Sequence, residues 1–378
     1  MYRLISNSIE LMENMYDEDT GLFSFSTRLV QGKYINDLQN DGKYRYTVNV
    51  MAAIQRIQRS QPTKWNLKEM LDGYVARHLL NDVNAGNRGL LLDVLTRENH
   101  PAAERIYLWL HPLLDDRSRA LAFPIQETAW ALIGVSTYAR QTGSPQAMGL
   151  ARKLIAYISH DLLNRDTLLP RHNNSLRGTF VSFGAIVYFL MALHHYASLF
   201  DDQARLALFK SAVTRVLELQ GSNGEWPWFI DSATGRVMDW HQVYSVHQDA
   251  MAMLFLLPAL DLGVAGTGDA IVKSYRWLFG HNALGCTMLQ HNPFFIYRSI
   301  RVKGPAEQPR RLLRALTHKA LGRTSRMQHP HALEVNTECR SYHPGWIIYA
   351  WADRTDFQEF TDLRITSEGR ARAPQSRA

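Results

Sequence analysis

Apolar residues recur at helical spacing almost from end to end of this chain, and alternating β-type runs appear only as short pieces between the helical stretches. Two kinds of helical stretch alternate. One kind keeps a polar face: Tyr2 to Tyr16, Trp65 to Leu80, Ala102 to Leu114, Gln146 to Leu163, Asp202 to Gln220 and Asp269 to Ala283. The other is apolar nearly all round: Arg45 to Gln58, Asn87 to Thr96, Gln126 to Tyr138, Ser182 to Phe200, Tyr244 to Leu260 and Tyr342 to Asp353. A helix with one polar face suits an outer layer, whereas one apolar on all sides must be packed on both sides. The six outer–inner hairpins, spaced roughly forty to sixty residues apart, predict an all-α fold, an (α/α)6 toroid. Long loops should then gather at the end where the inner helices begin. No Gly/Ser-rich or Pro-rich linker interrupts the repeat, so the expectation is one domain over residues 1–365 followed by a disordered basic tail, 366–378.

Composition adds a compartment and a charge. With 46% apolar and 11% aromatic residues the chain can build a large core. Cys286 and Cys339 lie far apart and set up neither a disulfide framework nor a zinc site, which points to a reducing compartment. The N-terminal stretch lacks a basic segment followed by an apolar run, and the run Ala250 to Leu260 is too short to span a bilayer. A soluble, cytoplasmic protein is expected. The formal charge of +7 is concentrated: residues 298–326 hold nine Lys/Arg against Glu307 alone. Such a field attracts an anionic partner, whether glycan, glycolipid intermediate or inner membrane surface.

The fifth loop, between Gln220 and Tyr244, is the richest in chemistry. It holds a Gly/Asn turn, Trp226, Trp228 and Trp240, and the acids Glu225, Asp231 and Asp239. Gln220, Gly224 and Trp226 spell Q-x3-G-x-W, which resembles the QW repeat of the squalene-cyclase and prenyltransferase superfamily, itself an α/α barrel. That resemblance implies a structural role, the Gln capping one helix and the Trp stacking near the next. The DxDD and DDxxD motifs of isoprenoid enzymes are absent: Asp115 and Asp116 precede Arg117 and Ser118, and Asp201 and Asp202 precede Gln203 and Ala204. An isoprenoid cyclase is thus the least favoured reading.

The stretches RYT at 45–47, ETAWAL at 127–132, YSVHQDAMA at 244–252 and ECRSYHPGW at 338–346 open or immediately precede inner helices. Together with the six hairpins they resemble the six-hairpin glycosidase fold, which inverting glycosidases share with several polysaccharide lyases and the C-terminal domain of glucuronyl C5-epimerases. They are also similar to proteins of bacterial polysaccharide gene clusters. The resemblance implies a carbohydrate-active protein.

The first turns of the inner helices supply Arg45 and Tyr46; Glu127; Tyr244, His247, Gln248 and Asp249; and Arg340, Tyr342 and His343. At i, i+3 and i+4, Tyr244, His247 and Gln248 are expected on one helical face. Helix N-termini favour negative charge, and Arg45, Arg171, Arg298 and Arg340 add bidentate carboxylate clamps, with His172 beside Arg171. Trp228 is the expected sugar platform. Glycoside hydrolysis needs two carboxylates, for which Glu127, Glu225, Asp239 and Asp249 are the candidates. A lyase or C5-epimerase instead removes the proton beside a sugar carboxylate, with Tyr244, His247, Tyr342 or Tyr46 as base and an Arg neutralising the carboxylate.

For each of these the plain alternative is a cap, an ion pair or an aromatic that fills the barrel axis. The pairs His194/His195, His241/His247 and His329/His331 lack the spacing of a helical zinc pair, and HExxH is absent, so no metal is expected. Nothing resembles a P-loop or a dinucleotide fingerprint, so no cofactor and no nucleic-acid partner are expected. Two readings stand: an enzyme acting on an anionic or uronic-acid-containing polysaccharide or its biosynthetic intermediate, by lyase, epimerase or hydrolase chemistry, or a non-catalytic glycan-binding accessory that partners a glycosyltransferase. Convergence of Glu127, Asp239 and Asp249 with Tyr244 on an open cavity favours the first; an axis plugged by aromatics favours the second.

Overall fold

The computed structural model describes residues 2–175, 178–304 and 307–354, so the predicted boundary at 365 and the tail 366–378 lie outside the described residues. The hairpins are α1 (Tyr2–Met15) with α2 (Gly42–Ile57), α3 (Leu67–Arg77) with α4 (Ala85–Arg97), and α5 (Ala102–Asp115) with α7 (Ile125–Thr142), the short α6 (Arg117–Ala122) lying between the last two. They continue as α8 (Pro145–Ala156) with α9 (Phe183–Phe200), α10 (Gln203–Leu217) with α11 (Met253–Asp261), and α12 (Thr267–Leu278) with α14 (Tyr342–Trp351), α13 (Glu307–Ala320) lying within the last connection. The starts follow from capping chemistry. Asn66, Asn84, Ser144, Ser182 and Asp202 each accept a hydrogen bond from the backbone N–H three residues on, satisfying a donor that the first turn leaves free.

The inner helices close a ring. In sequence α2, α4, α7, α9, α11 and α14 each pack on the next, and α14 returns to α2. The outer helices pack against the outside of this ring, α1 on α14, α8 on α7 and α10 on α9 among them. The tightest approach is α4 to α7, where a Cβ on Gly134 would stand 1.9 Å from the Gly89 carbonyl oxygen, so both positions need the absence of a side chain. α9 is long and apolar enough to cross a membrane by length and composition, which the reading from Ala250 to Leu260 overlooked; two thirds of it is buried within the ring.

Three small sheets bind neighbouring loops at the end where the inner helices start. Phe229–Asp231 of the fifth loop pairs with Phe180–Ser182 of the fourth and with Arg236–Asp239. Ser299–Val302 of the sixth loop pairs with Val243–Tyr244 of the fifth and with Leu333–Asn336. Glu338–Cys339 pairs with Ser26–Val30 of the first loop, which also pairs with Lys33–Asp37. The rim is therefore stitched from the fourth loop round to the first, and the backbone positions of the mouth residues are fixed by ladders. The basic segment, read as a loop in the sequence, forms α13 because its Leu, Arg and Ala content favours a helix.

Candidate functional site

The site grows from the fifth loop. Gln220 donates to the carbonyl of Ala270 at 3.0 Å and to Ser274 Oγ at 3.0 Å, and Trp226 Nε1 donates to the same Oγ at 3.0 Å. Trp226 also stacks on Phe183, centroids 4.8 Å apart. These two residues anchor the loop on α12 and α9, the structural work the Q-x3-G-x-W resemblance implied. With the base held, the paired strands Phe229–Asp231 and Arg236–Asp239 carry Trp228 and Asp239 to the mouth, and the strand Val243–Tyr244 carries Tyr244.

A cleft of about 320 Å³ lies between these strands and α13, lined by Phe180, Trp228, Asp239, Gln242, Tyr244 and Arg311 among others. Arg311 Nε donates to Asp239 Oδ2 at 2.7 Å, and the backbone N–H of His241 donates to Asp239 Oδ1 at 3.1 Å. Burial still raises the Asp239 carboxyl above its ordinary 3.8, with the Arg311 guanidinium acting against it. Tyr244 packs on Trp228 at 4.8 Å, and the Arg298 guanidinium lies over its ring at 5.2 Å. Burial raises the Tyr244 phenol above 10.0, and the charges of Arg298 and Arg311 oppose the rise. Tyr244 is therefore a neutral phenol at neutral pH and a proton donor.

A second group adjoins Tyr244 on the side of the first and sixth loops. Tyr46 and Tyr342 pack with centroids 4.5 Å apart and rings tilted by 38°, and Phe25 lies flat on Tyr46 at 5.2 Å. Arg340 sits 3.7 Å from the Phe25 centroid. Both Arg340 and Arg298 are held by one carboxylate, Glu338, the former at 2.7 Å. Arg45 donates to Asn87 Oδ1 at 3.0 Å and lies over Trp130. Below these, Tyr188 accepts from Trp346 Nε1 at 3.0 Å and packs edge-on against Trp130. The axis of the ring under the mouth is thus filled by aromatics.

Several residues predicted for the site take other places. Asp249 is fully buried under the mouth, with Oδ1 2.7 Å from His343 Nε2 and Oδ2 left without a partner; its carbonyl accepts from Tyr275 and Trp351. Glu225 is buried with its carboxyl against Gly221, and desolvation raises its pKa. Glu127 is half-buried on the first turn of α7, its charge felt by His172, whose pKa burial lowers. Arg171 donates to the Ser175 carbonyl at 3.0 Å.

The single helical face expected for Tyr244, His247 and Gln248 does not form. Tyr244 ends a strand, and His247–Met251 winds as a π turn before α11, because the ladder with Ser299 holds the chain extended up to Tyr244. His247 lies beneath Tyr244 and Trp228 with Nδ1 unpartnered, and burial lowers its pKa to about 3. Gln248 donates to the Tyr244 carbonyl at 3.3 Å.

Sequence reasoning missed Arg311, Gln242 and Glu338. Arg311 was hidden in a run of similar cations, and only the fold shows which of them meets Asp239. The acidic partner of Arg340 was legible as the Glu two residues before it on an extended segment. Of the four candidate carboxylates, only Asp239 shares the cleft with Tyr244.

No protein-family profile matches the chain, and no curated protein matches it. Solved structures do. A cellobiose 2-epimerase from Bacillus thermoamylovorans is 10% identical with a TM-score of 0.63, covering 93% of this chain and 98% of that one. A possible GH105 member from Klebsiella pneumoniae is 13% identical with a TM-score of 0.58, covering 93% and 91%. An unsaturated glucuronyl hydrolase variant with dGlcA-Glc-Rha-Glc is 12% identical with a TM-score of 0.58, covering 93% and 96%. With ring closure, loop end and near full-length superposition together, the chain has the (α/α)6 toroid fold of the six-hairpin glycosidases.

Proposed function

We propose that this chain is a carbohydrate-active enzyme that moves a proton beside the carboxylate of a uronic-acid-containing glycan. The observation that carries the reading is that Asp239, Arg311, Tyr244 and Trp228 line one cleft. Trp228 offers an aromatic face to a sugar ring. Arg311 is a planar fork already engaged with one carboxylate, and a substrate carboxylate of the same shape can take Asp239's place on it.

Once displaced, Asp239 is a carboxylate in a buried site that has lost its cation, so its proton affinity rises and it serves as the base. It takes the hydrogen from the carbon next to the substrate carboxylate, and Arg311 stabilises the charge that spreads onto that carboxylate. Tyr244 then supplies a proton. Delivery to the opposite face of the same carbon inverts it, as an epimerase does; delivery to the departing glycosidic oxygen leaves a double bond, as a lyase does. Hydrolysis is less well served, because it needs a second carboxylate and Asp239 alone lines this cleft among the described residues. The likeness in fold to an epimerase and to an unsaturated glucuronyl hydrolase supports the carbohydrate class. The setting in this reading is cytoplasmic, on a polysaccharide intermediate.

The test is to incubate the pure protein with a panel of acidic oligosaccharides in deuterated water and follow mass and absorbance of unsaturation. Deuterium at a ring carbon or a new double bond supports proton abstraction. Addition of water replaces it with hydrolysis. Binding with no chemical change makes the protein a glycan-binding accessory, the reading that the aromatic-filled axis favours.

A further inference from the structure

Polarity on α13 runs opposite to that of an ordinary surface helix. Arg311, Ala315 and Lys319, one turn apart, face the toroid: Arg311 meets Asp239, Lys319 Nζ lies 3.1 Å from Asp231 Oδ1, and Ala315 lines the cleft. Leu313 and Leu316 project to solvent, and Leu321 follows just past the helix end. The inward face has used its charges on the toroid, and the outward leucines are left exposed among the described residues.

They are not isolated. The large apolar residues exposed on the described surface, 45–89% accessible each, are Val30, Ile35, Leu80, Val83, Leu108, Leu313, Leu316 and Leu321. All but Leu108 sit in the first, second and sixth connections from outer to inner helices, at the end that carries the cleft. The same end holds the basic segment 298–326, in which Arg298, Arg301, Arg311 and Lys319 are paired with Glu338, Glu334, Asp239 and Asp231, while Lys303, Arg323 and Arg326 are exposed, as is Lys33 at the tip of the first-loop hairpin.

From this arrangement we infer that the loop end of the toroid docks on an anionic lipid bilayer, with the leucines of α13 and the Val30/Ile35 hairpin tip entering the interface. Aliphatic tips spread over three loops suit a fluid, deformable surface better than a shaped protein groove, and cations among them match anionic headgroups. A sugar chain would call for exposed aromatic faces instead. Self-association through this end would oppose two basic surfaces. The cleft opens on the docked face, so a lipid-linked glycan would be presented to it from the membrane; that consequence rests on the proposed function, whereas docking itself does not.

The experiment is co-sedimentation of the full chain with phosphatidylglycerol-containing and pure phosphatidylcholine vesicles, in parallel with sizing of the free protein. The anionic vesicles should carry the protein down, and the pair Leu313→Asp with Leu316→Asp should weaken binding by at least about tenfold with the thermal midpoint unchanged. Val30→Asp with Ile35→Asp should weaken it as well, and Leu108→Asp, on the side of the toroid, should not. The inference is overturned by failure to bind anionic vesicles. Binding that the leucine and hairpin variants leave intact, or that Leu108→Asp lowers equally, overturns it too. So does a concentration-dependent dimer that the leucine variants abolish while vesicle binding is absent.

Discussion

Asp239 and Tyr244 face the same cleft with their ordinary pKa values moved in the same direction, which assigns them different tasks. Burial raises Asp239 from 3.8 and the Arg311 guanidinium opposes the rise, while Tyr244, raised from 10.0, keeps its proton at neutral pH. The base must be charged and the acid protonated, so the rate should climb with pH through a value above 3.8 and fall again only as pH approaches the Tyr244 value, which lies above 10.0. Asp239→Asn and Tyr244→Phe should each lower turnover by about 10²–10⁴-fold on the active substrate, with the fold intact. A Tyr244→Phe enzyme that keeps full turnover would remove the phenol from the reaction.

Three histidines give a second residue-scale prediction. Burial lowers His195 and His241 to about 4 and His247 to about 3, from 6.5. Between pH 6.5 and 4 the unfolded chain protonates these rings and the folded chain does not, so stability falls as pH falls through that window. Each ring contributes a slope of up to about 1.4 kcal/mol per pH unit there. His195 sits 3.0 Å from Thr137 Oγ1, away from the cleft, and His195→Gln should flatten the fall in melting temperature between pH 6.5 and 4.5. An unchanged profile would mean the ring is already protonated in the fold.

At the scale of elements, the contact of α4 with α7 shows what the pattern of apolar positions revealed and what it concealed. Burial on all sides was readable for both helices from their lack of a polar face. How closely they meet was not, since Gly89 and Gly134 gain their meaning only when each lies against the other's backbone. Gly134→Ala would place a methyl 1.9 Å from the Gly89 carbonyl oxygen and should destabilise the protein by about 3 kcal/mol or more, read from urea unfolding. Gly149, half-buried on α8 with open space where its Cβ would stand, is the matching control: Gly149→Ala should be neutral or slightly stabilising.

The same contrast runs through the candidate site. Helical periods placed most of the inner helices to within a few residues, but Tyr244 was read as helical because the apolar run behind it is helical. Its pairing with Ser299, fifty-five positions on, leaves no local trace and puts it in a strand. Arg340 and Arg298 were readable as cations near the mouth; their shared hold on Glu338 depends on two loops meeting. Long-range ladders at the rim therefore account for most of what local periodicity could not show.

For the whole molecule the decisive feature is that the ring has no terminal repeat. The last inner helix, α14, packs on the first, α2, and also on α1. Around that seam Ser341 Oγ donates to the Ser24 carbonyl at 2.6 Å, and Glu338–Cys339 pairs with the strand of the first loop. An open array of hairpins would fray from its ends, each repeat answering only to its neighbours. In the closed ring, damage at the seam is shared by both chain ends, so Trp346→Ala should act on the entire molecule. Its indole is fully buried and donates to Tyr188, and its loss should cost about 3–5 kcal/mol. The midpoint in urea should fall with the slope unchanged, and far-ultraviolet dichroism and tryptophan emission should trace one coincident transition. A separate early transition confined to part of the helical signal would show that the seam is not energetically closed, and that the hairpins from α3 to α11 hold together without it.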